Sequence, residues 1–568
     1  MSHTHGHTHG HDHGHGHTHE SAVGPALDLS ISDADLPQGD LGRRNFLRAA
    51  GVLGAGAATA SLVTSTGVAA AADVSDTADR KARKPRAWLA GDHHIHTQYS
   101  SDGLYTVEDQ VKHADAFGLD WVVITDHGGS THAKIGVDKV NPDIRRSREQ
   151  HPEMLVFQGL EWNIPAAEHG TVFVHPGANE VAVLKAFETA YDGSVNGTSG
   201  NTPANEVQAV KGLQFLKSAI SDRKVQDALM LANHPARNGV DSPHEVRAWR
   251  DAAKGIAVGW EGAPGHQAAG LKATTPGPGS ARGYYGNAPS ADRSFLPYPL
   301  ESYRTWGGFD FYTATVGGLW DSLLAEGKPW WITANSDSHS NYLDTAVRGA
   351  GSDFNANGRY NDPEYSGAPN FSAGDYFPGF YSRTHVGANH DSYAGLMDGL
   401  RAGNVWVDHG RLIEEVDVAV RVGGREVGLG GAVTGKRGES AELRIRITPA
   451  QRSNWAQFLP QLRKLDLIKG RVTGPAQDRD VFHTPHTSVM KTWEVKDNNT
   501  LVLVVPLGQI DDTGFYVRLR GSDGKRTQAG YYGAAVDPAG PAMDVVGDAD
   551  PWKDLWFYTN PIFVLPRA

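Results

Sequence analysis

Short apolar runs, each leading to a histidine, aspartate or glutamate, recur through the middle of the chain. Runs of this length between polar segments predict buried strands. The runs span residues 88–90, 119–125, 155–160, 228–233, 256–260 and 330–335, and they lead to Asp92, Asp126, Glu161, His234, Glu261 and Asp337.

Helical patterns separate these runs. After the first run, Thr106 is a good N-cap, Val107, Val111 and Ala114 share one helical face, and Gly118 ends the helix. Strands that alternate with helices predict a parallel sheet or barrel. Functional side chains of such barrels collect at the carboxyl ends of the strands, so we expect these polar residues to form one site.

Composition limits the chemistry of that site. The chain has 568 residues, no cysteine and 27 histidines, so any metal must be held by histidine, aspartate and glutamate. A net charge of -12 disfavours a nucleic-acid partner, which needs clustered lysine and arginine. A small phosphorylated substrate stays compatible with this charge, because bound metal ions can dominate the local field.

The spacing of the polar residues favours a metal site with several ions. His94 and His96 are two apart, so in a strand both face the same way, whereas His93 faces the opposite way. Asp337 and His339 have the same spacing. The two oxygens of Glu161 suit it to bridge two ions. Imidazole and carboxylate ligands together favour zinc, manganese or iron, and closely spaced ions of this kind can share a hydroxide that attacks a phosphoryl group.

Five motifs follow one another in this region. The motifs are His94-Ile95-His96-Thr97 with Ser101-Asp102-Gly103, Thr125-Asp126-His127, Glu161 with His169, Asn233-His234-Pro235, and Ser336-Asp337-Ser338-His339. In this order they resemble the motifs of the polymerase and histidinol phosphatase (PHP) family. The resemblance covers about residues 86–410 and implies a distorted (β/α)7 barrel with two or three metal ions.

The resemblance and the strand ends together give a set of predicted metal ligands. His169 and His175 compete for one position, because they flank the predicted strand 171–174, and motif spacing favours His169. Asp102 is a ligand candidate that could equally act through a neighbour. The predicted ligands are His94, His96, Asp102, His127, Glu161, His169, His234, Asp337 and His339.

Three further residues are candidates for catalysis. Asp126 could orient a ligand histidine or shuttle a proton. Arg237 follows His234 by three residues and could donate hydrogen bonds to a phosphate oxygen. The alternative for Arg237 is a surface salt bridge. His266, like Glu261, could line the substrate pocket, and a structural role fits both residues equally well.

A second motif predicts a calcium loop. Asp353, Asn355, Asn357 and Glu364 occupy the side-chain ligand positions of the DxNxNG…E pattern. Glycine, serine and proline surround the motif, so a lone loop site is expected, not an EF-hand. The alternative is a surface loop folded by Asx turns.

The first 85 residues are predicted to be a low-complexity tail, an export signal and a linker. Residues 1–20 are rich in histidine and too simple to form a core, which predicts a disordered tail with weak metal capture as a second interpretation. Residues 21–72 contain Arg43-Arg44 and a small-residue apolar run, which resembles a twin-arginine export signal. Residues 73–85 form a linker. The expected partner is the twin-arginine export machinery, no stable membrane span is expected, and the predicted location is periplasmic, cell-surface or extracellular.

The fold prediction is α/β. A distorted (β/α)7 barrel, PHP-like, is expected over residues 86–410, and a smaller β-sandwich accessory domain over residues 411–568. Residues 196–225 and 265–320 are expected to be loop-rich insertions that carry local helices and build the rim of the pocket.

The predicted function is hydrolysis of small phosphomonoesters or nucleotide-like phosphodiesters by a metal-bridging hydroxide in an exported enzyme. The closest alternative is a carbamate or carboxyl ester hydrolase on the same metal site, as the resemblance to the carbaryl-hydrolase branch implies. A metal-binding protein without turnover is the alternative from another class. A cationic grip such as Arg237 favours the phosphate substrate, and an apolar pocket would favour the carbonyl one.

Overall fold

The computed structural model describes residues 85, 87–270, 282–285, 289–290, 292–341, 344–370 and 373–567. The predicted histidine-rich tail and twin-arginine region lie outside the described residues, as does nearly all of the linker. Among the described residues, no helix has the length and apolar character needed to cross a membrane.

In the first part of the chain, helices separate most of the successive strands. Its strands are β1 Ala87–Ile95, β2 Trp121–Ile124, β3 Leu155–Asn163, β4 His169–Val174, β5 Ala228–Ala232, β6 Ala257–Ala263, β7 Trp331–Ala334, β8 Ala346–Val347, β9 Glu364–Tyr365, β10 Ser382–Ala388 and β11 Val405–His409. Its helices are α1 Val107–Ala116, α2 Val137–Gln150, α3 Glu180–Tyr191, α4 Gly193–Asn196, α5 Pro203–Ser221, α6 Pro243–Ala252, α7 Gly265–Ala269, α8 Phe311–Ala314, α9 Leu319–Ala325, α10 Phe354–Asn357 and α11 Tyr393–Ala402.

Strands β1 to β7 neighbour one another in chain order. Pairing is parallel from β1 to β3 and from β5 to β7, whereas β4 runs antiparallel to both of its neighbours. A single parallel bridge joins Ile95, at the end of β1, to Ser338, in the segment after β7, so the ring of ladders is not continuous. The predicted α/β fold is confirmed, in the form of a large mixed sheet that curls around like a distorted barrel.

Helix α1 shows how closely local sequence sets this architecture. The Thr106 side chain accepts a hydrogen bond from the backbone N–H of Asp109, and the Asp109 carboxylate accepts one from Thr106 N–H, which forms a capping box. Val107, Val111 and Ala114 face the core, as their spacing predicts. Gly118 adopts a φ of 77° just after the helix, where a side chain would be strained.

The C-terminal part is a β-sandwich, as predicted. Its strands are β12 Ile413–Val422, β13 Arg425–Val427, β14 Ala432–Gly435, β15 Ser440–Pro449, β16 Lys464–Arg471, β17 Thr487–Glu494, β18 Leu501–Gln509, β19 Phe515–Ser522, β20 Thr527–Gln528, β21 Gly540–Pro541, β22 Trp556–Thr559 and β23 Ile562–Pro566. One sheet has the order β13-β12-β15-β18, and the other contains β14, β23, β19, β16 and β17. Alternate residues of both, such as Leu443 and Leu519, meet in one apolar core.

The second sheet continues into the barrel, because β22 pairs with β19 on one side and with β11 on the other. The aromatic C-terminal segment therefore packs against the barrel. The predicted boundary near residue 411 lies in the turn between β11 and β12, and it stays a prediction.

Residues 196–225 are more regular than the sequence interpretation allowed. Thr202 caps the 19-residue helix α5, and Pro203 occupies its first turn. Ala209, Leu213 and Leu216 are buried on one face. The predicted local helices are present, and one of them extends over most of the segment, because the polar residues that suggested loops lie on the solvent side of this helix.

Candidate metal centre

The carboxyl ends of the parallel strands bring all nine predicted ligands into one cluster. The reversed strand β4 explains the choice between its two flanking histidines. Because β4 runs antiparallel, its start, at His169, lies beside the ends of its neighbours, and its end leads to His175 at the opposite rim. His169 is in the cluster, whereas the His175 ring contacts the carbonyl oxygen of Pro176 and lines a separate cavity.

Glu161 lies at the centre of the cluster and is 1% exposed. Its Oε1 is 2.9 Å from His169 Nδ1 and 3.2 Å from Nε2 of both His94 and His234. Its Oε2 is 3.0 Å from His127 Nδ1 and 3.4 Å from His96 Nε2. The two oxygens of one carboxylate therefore serve two sets of imidazoles, which is the arrangement expected of a bridging ligand.

The innermost group consists of His94, His96 and Asp337. The Nε2 atoms of the two histidines are 3.0 Å apart, and each lies within 3.2 Å of Asp337 Oδ1. A second hydrogen bond fixes each ring: His94 Nδ1 is 2.7 Å from Glu261 Oε1, and His96 Nδ1 is 3.2 Å from Ser100 Oγ. Both rings thus turn Nε2 into the cluster.

A second group at the mouth of the site joins His96 to Asp102, His127 and His339. Asp102 Oδ2 is 3.1 Å from His127 Nε2 and 3.4 Å from His339 Nε2. The Asp102 side chain is 46% exposed, so this group opens toward solvent. It is the side from which a substrate can approach.

A third group contains a carboxylate that sequence reasoning missed. Glu168 lies within metal-ligand spacing of His169 and His234, and its Oε2 is 3.7 Å from His234 Nδ1. The Glu168-His169 neighbourhood in the sequence was the available signal. A further group of His127, Glu161 and His169 links this side of the cluster to the mouth.

The donor set fits divalent ions. A metal–nitrogen distance of about 2.0–2.1 Å in tetrahedral geometry places neighbouring ligand atoms about 3.4 Å apart. The contacts among His94, His96, Glu161 and Asp337 range from 3.0 to 3.4 Å. Direct contact between two imidazole nitrogens 3.0 Å apart contributes little stability, but both nitrogens can bind the same cation. Histidine and carboxylate ligands without thiolate suit zinc, manganese or iron.

The electrostatics of the cluster also favour cations. Burial alone would lower the pKa of His127, but Glu161 and Asp102 raise it to about 10. Burial raises the pKa of Glu161, and the surrounding imidazoles of His127, His169 and His94 more than reverse this shift. The carboxylates thus create a negative potential that divalent ions would neutralise.

The pKa values of two other histidines in the cluster are lowered. Burial and the neighbouring His339 lower the pKa of His96 to about 3. Burial also lowers the pKa of His234 to about 4. Neutral imidazole is the form that offers a lone pair to a metal ion.

Two predicted ligands adopt strained backbone conformations. His234 has a φ of 29° and Asp337 a φ of 47°, a region that side-chain-bearing residues rarely occupy. The backbone of Gly265 packs closely against Asp337, and only glycine fits there, since a Cβ at this position would lie 2.0 Å from Asp337 Cβ. Strain of this kind persists where the surrounding structure holds a functional side chain in place.

Asp126, a predicted catalytic residue, lies outside the metal-ligand groups formed by the described residues. It is buried, and its carboxylate accepts hydrogen bonds from the backbone N–H of Thr97 at 2.6 Å and from Thr97 Oγ1 at 2.9 Å. Burial raises its pKa to about 6. These contacts favour the interpretation in which Asp126 orients the segment that carries His96.

Arg237, the predicted phosphate grip, is half-buried beside the cluster. Its backbone N–H donates to the carbonyl oxygen of His234, which places it one turn after that ligand. Burial would lower its pKa, but Glu168, Glu161 and Asp337 raise it. Arg237 therefore brings a permanent positive charge to a mainly anionic site, and the surface-salt-bridge alternative does not describe this location.

The side chain of His266 lies outside the described residues, so its predicted role stays a prediction. Glu261 lies deeper than a pocket-lining residue would. One of its oxygens contacts His94, and the other accepts a hydrogen bond from His234 N–H at 2.6 Å. His93, which the sequence excluded, faces Thr171 and Thr333 in the barrel interior.

The calcium-loop residues have protein partners of their own. Asp353 Oδ1 caps the short helix α10 by accepting from Ala356 N–H, and Asn355 Oδ1 accepts from Thr131 Oγ1. The backbone oxygen of Asn357 accepts from Lys139, and Glu364 Oε1 accepts from Ala350 N–H. These contacts favour the alternative of a loop folded by a capping aspartate, and calcium binding here stays a prediction.

Comparison with known proteins supports the family resemblance. The family model described as PHP domain matches residues 92–227. This range contains six of the nine predicted ligands and ends before His234, Asp337 and His339. No protein of curated function matches the chain at a significant level.

Two solved structures are similar. One is a two-domain protein from Bacteroides vulgatus that contains a predicted PHP-like metal-dependent phosphoesterase; it is 14% identical, with 77% of this chain and 92% of that chain covered and a TM-score of 0.33. The other is a predicted metal-dependent phosphoesterase from Bifidobacterium adolescentis. It is 19% identical, with 28% of this chain and 63% of that chain covered and a TM-score of 0.13.

Proposed function

We propose that this chain is a metal-dependent hydrolase of phosphate esters, and the match of residues 92–227 to the PHP domain model supports this proposal. The observation that carries the proposal is the position of Glu161, whose two oxygens contact separate sets of imidazoles. Bound divalent ions would supply Lewis-acid polarisation of the phosphoryl group and a water molecule of lowered pKa. The ions best suited to these ligands are zinc, manganese or iron, and the groups suggest two or three of them.

Arg237 supports a phosphate ester over a carbonyl ester as the substrate. Its guanidinium lies close enough to Glu168, Glu161 and Asp337 for their charges to raise its pKa. A planar guanidinium matches two oxygens of a phosphoryl group, and a neutral carbamate offers no such anionic partner. The proposed substrates are small phosphomonoesters or nucleotide-like phosphodiesters that approach from the Asp102 side.

The proposed place of action is outside the cytoplasm. This part of the proposal rests on the Arg43-Arg44 motif and the apolar run that follows it. Twin-arginine export carries folded proteins, so a metal-loaded enzyme could use this route.

The test is hydrolysis by the full chain loaded separately with zinc, manganese or iron. p-Nitrophenyl phosphate, bis-p-nitrophenyl phosphate and p-nitrophenyl acetate distinguish the ester classes. We expect turnover of a phosphate ester that His96→Ala and Asp337→Ala abolish and that the exposed-histidine control His390→Ala retains. Turnover of the acetate alone would replace this proposal with carbonyl ester hydrolysis, and bound metal without turnover of any ester would favour a metal-binding protein.

Arg237→Gln separates substrate recognition from metal binding. We expect this variant to keep its metal content and to lose turnover of phosphate esters specifically. A hydrogen bond to a charged group contributes about 1.5–3 kcal/mol, so kcat/KM should fall by roughly tenfold to a hundredfold. Unchanged kinetics would remove Arg237 from the site.

A further inference from the structure

A cavity of about 420 Å³ lies outside the metal centre and contains three arginines. Arg383 comes from β10, Arg411 follows β11, and Arg452 lies in the turn after β15. None of the predicted metal ligands lines it. Its lining residues, the arginine cavity below, are Arg383, Arg411, Ile413, Glu414, Arg452, Ser453 and Trp455.

Two of the three positive charges have carboxylate partners. Arg383 is 5% exposed and binds Asp408 through Nε at 3.1 Å and Nη2 at 2.8 Å. The Nε of Arg452 is 3.8 Å from Glu414 Oε1 at the rim. A buried, anchored guanidinium such as that of Arg383 makes the floor of this cavity a preformed feature.

Arg411 differs from both. Within the described part of the chain, no carboxylate lies within ion-pair distance of its guanidinium, although Asp408 and Glu414 are near enough to act at longer range. Burial, together with the charges of Arg383 and Arg452, lowers its pKa. The cavity therefore holds one positive charge that these carboxylates do not balance.

The Arg411 guanidinium is held in place by an aromatic ring. It lies 4.9 Å from the ring centroid of Trp455, and Phe117 packs edge-on against the same indole at 5.3 Å. Stacking fixes the plane of a guanidinium and leaves its N–H groups available. The indole N–H of Trp455 is also buried without a hydrogen-bond partner among the described residues.

The backbone around Arg411 is unusual for an arginine. Arg411 has a φ of 57°, a conformation that glycine or asparagine adopts more cheaply. The turn is held by the side chain of Asn454, which donates to the carbonyl oxygen of Gly410 at 3.0 Å. The chain thus holds an arginine where the backbone alone favours another residue.

We propose that the arginine cavity is a binding site for a small oxyanion, separate from the metal centre. The oxyanion would accept hydrogen bonds from the guanidinium of Arg411, with Arg383 and Arg452 supplying further positive charge. Guanidinium forks match the oxygens of phosphate, sulfate and carboxylate alike. The volume of the cavity admits an anion of this size, and the proposal does not depend on the reaction at the metal centre.

The test is calorimetric titration of inorganic phosphate, sulfate and acetate into the metal-loaded full chain at physiological salt. Arg411→Gln should weaken oxyanion binding at this site by roughly tenfold or more, because it removes a charge-assisted hydrogen bond. Asp337→Ala disables the metal centre and should retain this binding. Arg444→Gln, on the outer face of β15, is the matched surface control and should bind as the wild type does.

Two further measurements keep the proposal falsifiable. Trp455→Phe keeps the aromatic ring but removes the N–H, and we expect a smaller loss than in Arg411→Gln. Thermal unfolding of each variant establishes that the fold persists. Wild-type affinity in Arg411→Gln, or loss of all oxyanion binding in Asp337→Ala, would overturn the proposal. Comparison of the three anions identifies the chemical class of the ligand. Tighter binding of acetate would indicate a carboxylate, and tighter binding of phosphate or sulfate would indicate a tetrahedral oxyanion.

Discussion

His94 and Glu261 are joined by a buried contact of 2.7 Å between His94 Nδ1 and Glu261 Oε1. The contact fixes the ring so that Nε2 faces Glu161 and Asp337. Carboxylates placed behind metal-ligating histidines set the tautomer and raise ligand basicity. Glu261 also accepts the backbone N–H of His234, so one carboxylate positions parts of two ligand segments.

Glu261→Gln should therefore weaken metal binding although Glu261 lies outside the metal-ligand groups. Loss of such a partner costs roughly ten- to a hundredfold in metal affinity. Metal content after dialysis against a graded chelator series measures the effect. Glu415→Gln, an exposed glutamate on β12, is the control. Equal metal retention in both variants would show that the contact does not position His94.

The sequence was most informative where a residue type has few structural alternatives. Strand ends and motif order located all nine ligand candidates, and capping residues located α1 closely. It was least informative for residues that act through a neighbour. The only signal for Glu168 was its position next to His169, and the strand-end position of Glu261 did not distinguish a carboxylate that supports a histidine from one that lines the pocket.

Some features of the fold depend on strand topology and could not be predicted from the sequence. The reversal of β4 decides between His169 and His175, and it depends on pairing between strands that no local pattern encodes. Strand β10 was missed because its segment, Ser382–Ala388, has a mixed composition without clear alternation. It is nevertheless buried, since it lies between β1 and β11.

Removal of metal should destabilise the protein. Glu161, Asp337 and Glu168 are all buried close to one another, and bound cations would offset their mutual repulsion. A ligand that binds only the folded state stabilises it by RT ln(1 + [L]/Kd), which is about 4 kcal/mol at a thousandfold excess over Kd. Calorimetric melting with and without a chelator should show a lower Tm that added metal restores. Asp337→Ala should show a much smaller shift, and an identical shift would point to metal bound elsewhere.

The loop after His127 is held by a buried pair, which gives a prediction on positioning. His132 Nδ1 is 3.0 Å from both oxygens of Glu188, and Glu188 Oε1 also accepts from Gly129 N–H at 3.0 Å. Loss of one member of a buried pair costs about 3–5 kcal/mol. Glu188→Ala should lower the free energy of unfolding by about this amount and reduce metal stoichiometry at the mouth of the site.

Chemical denaturation and metal analysis of the same Glu188→Ala preparation separate the two effects. Exposed Glu149→Ala on α2 is the control, with both properties expected to match the wild type. A fully metal-loaded Glu188→Ala variant with reduced stability would assign the pair to folding alone.

His244 predicts how stability depends on pH. It lies near the start of α6 and contacts Asp480 of the sandwich part, as well as Glu206 of α5 through Nε2 at 3.5 Å. Burial alone would lower its pKa, but these two carboxylates raise it to about 10. In the unfolded chain its pKa is about 6.5. A raised pKa contributes stability that is complete below the unfolded value and is lost as pH rises through the folded value.

The free energy of unfolding should therefore fall between about pH 6.5 and about pH 10 by more in the wild type than in His244→Gln. Neighbouring Glu245, whose pKa burial raises to about 8, contributes a loss of the same sign, so the difference between the two proteins is the quantity to measure. Urea unfolding at several pH values in this range provides it. If the two curves run parallel, the imidazole of His244 is not charged in the folded protein, and its contacts with Asp480 and Glu206 are neutral hydrogen bonds.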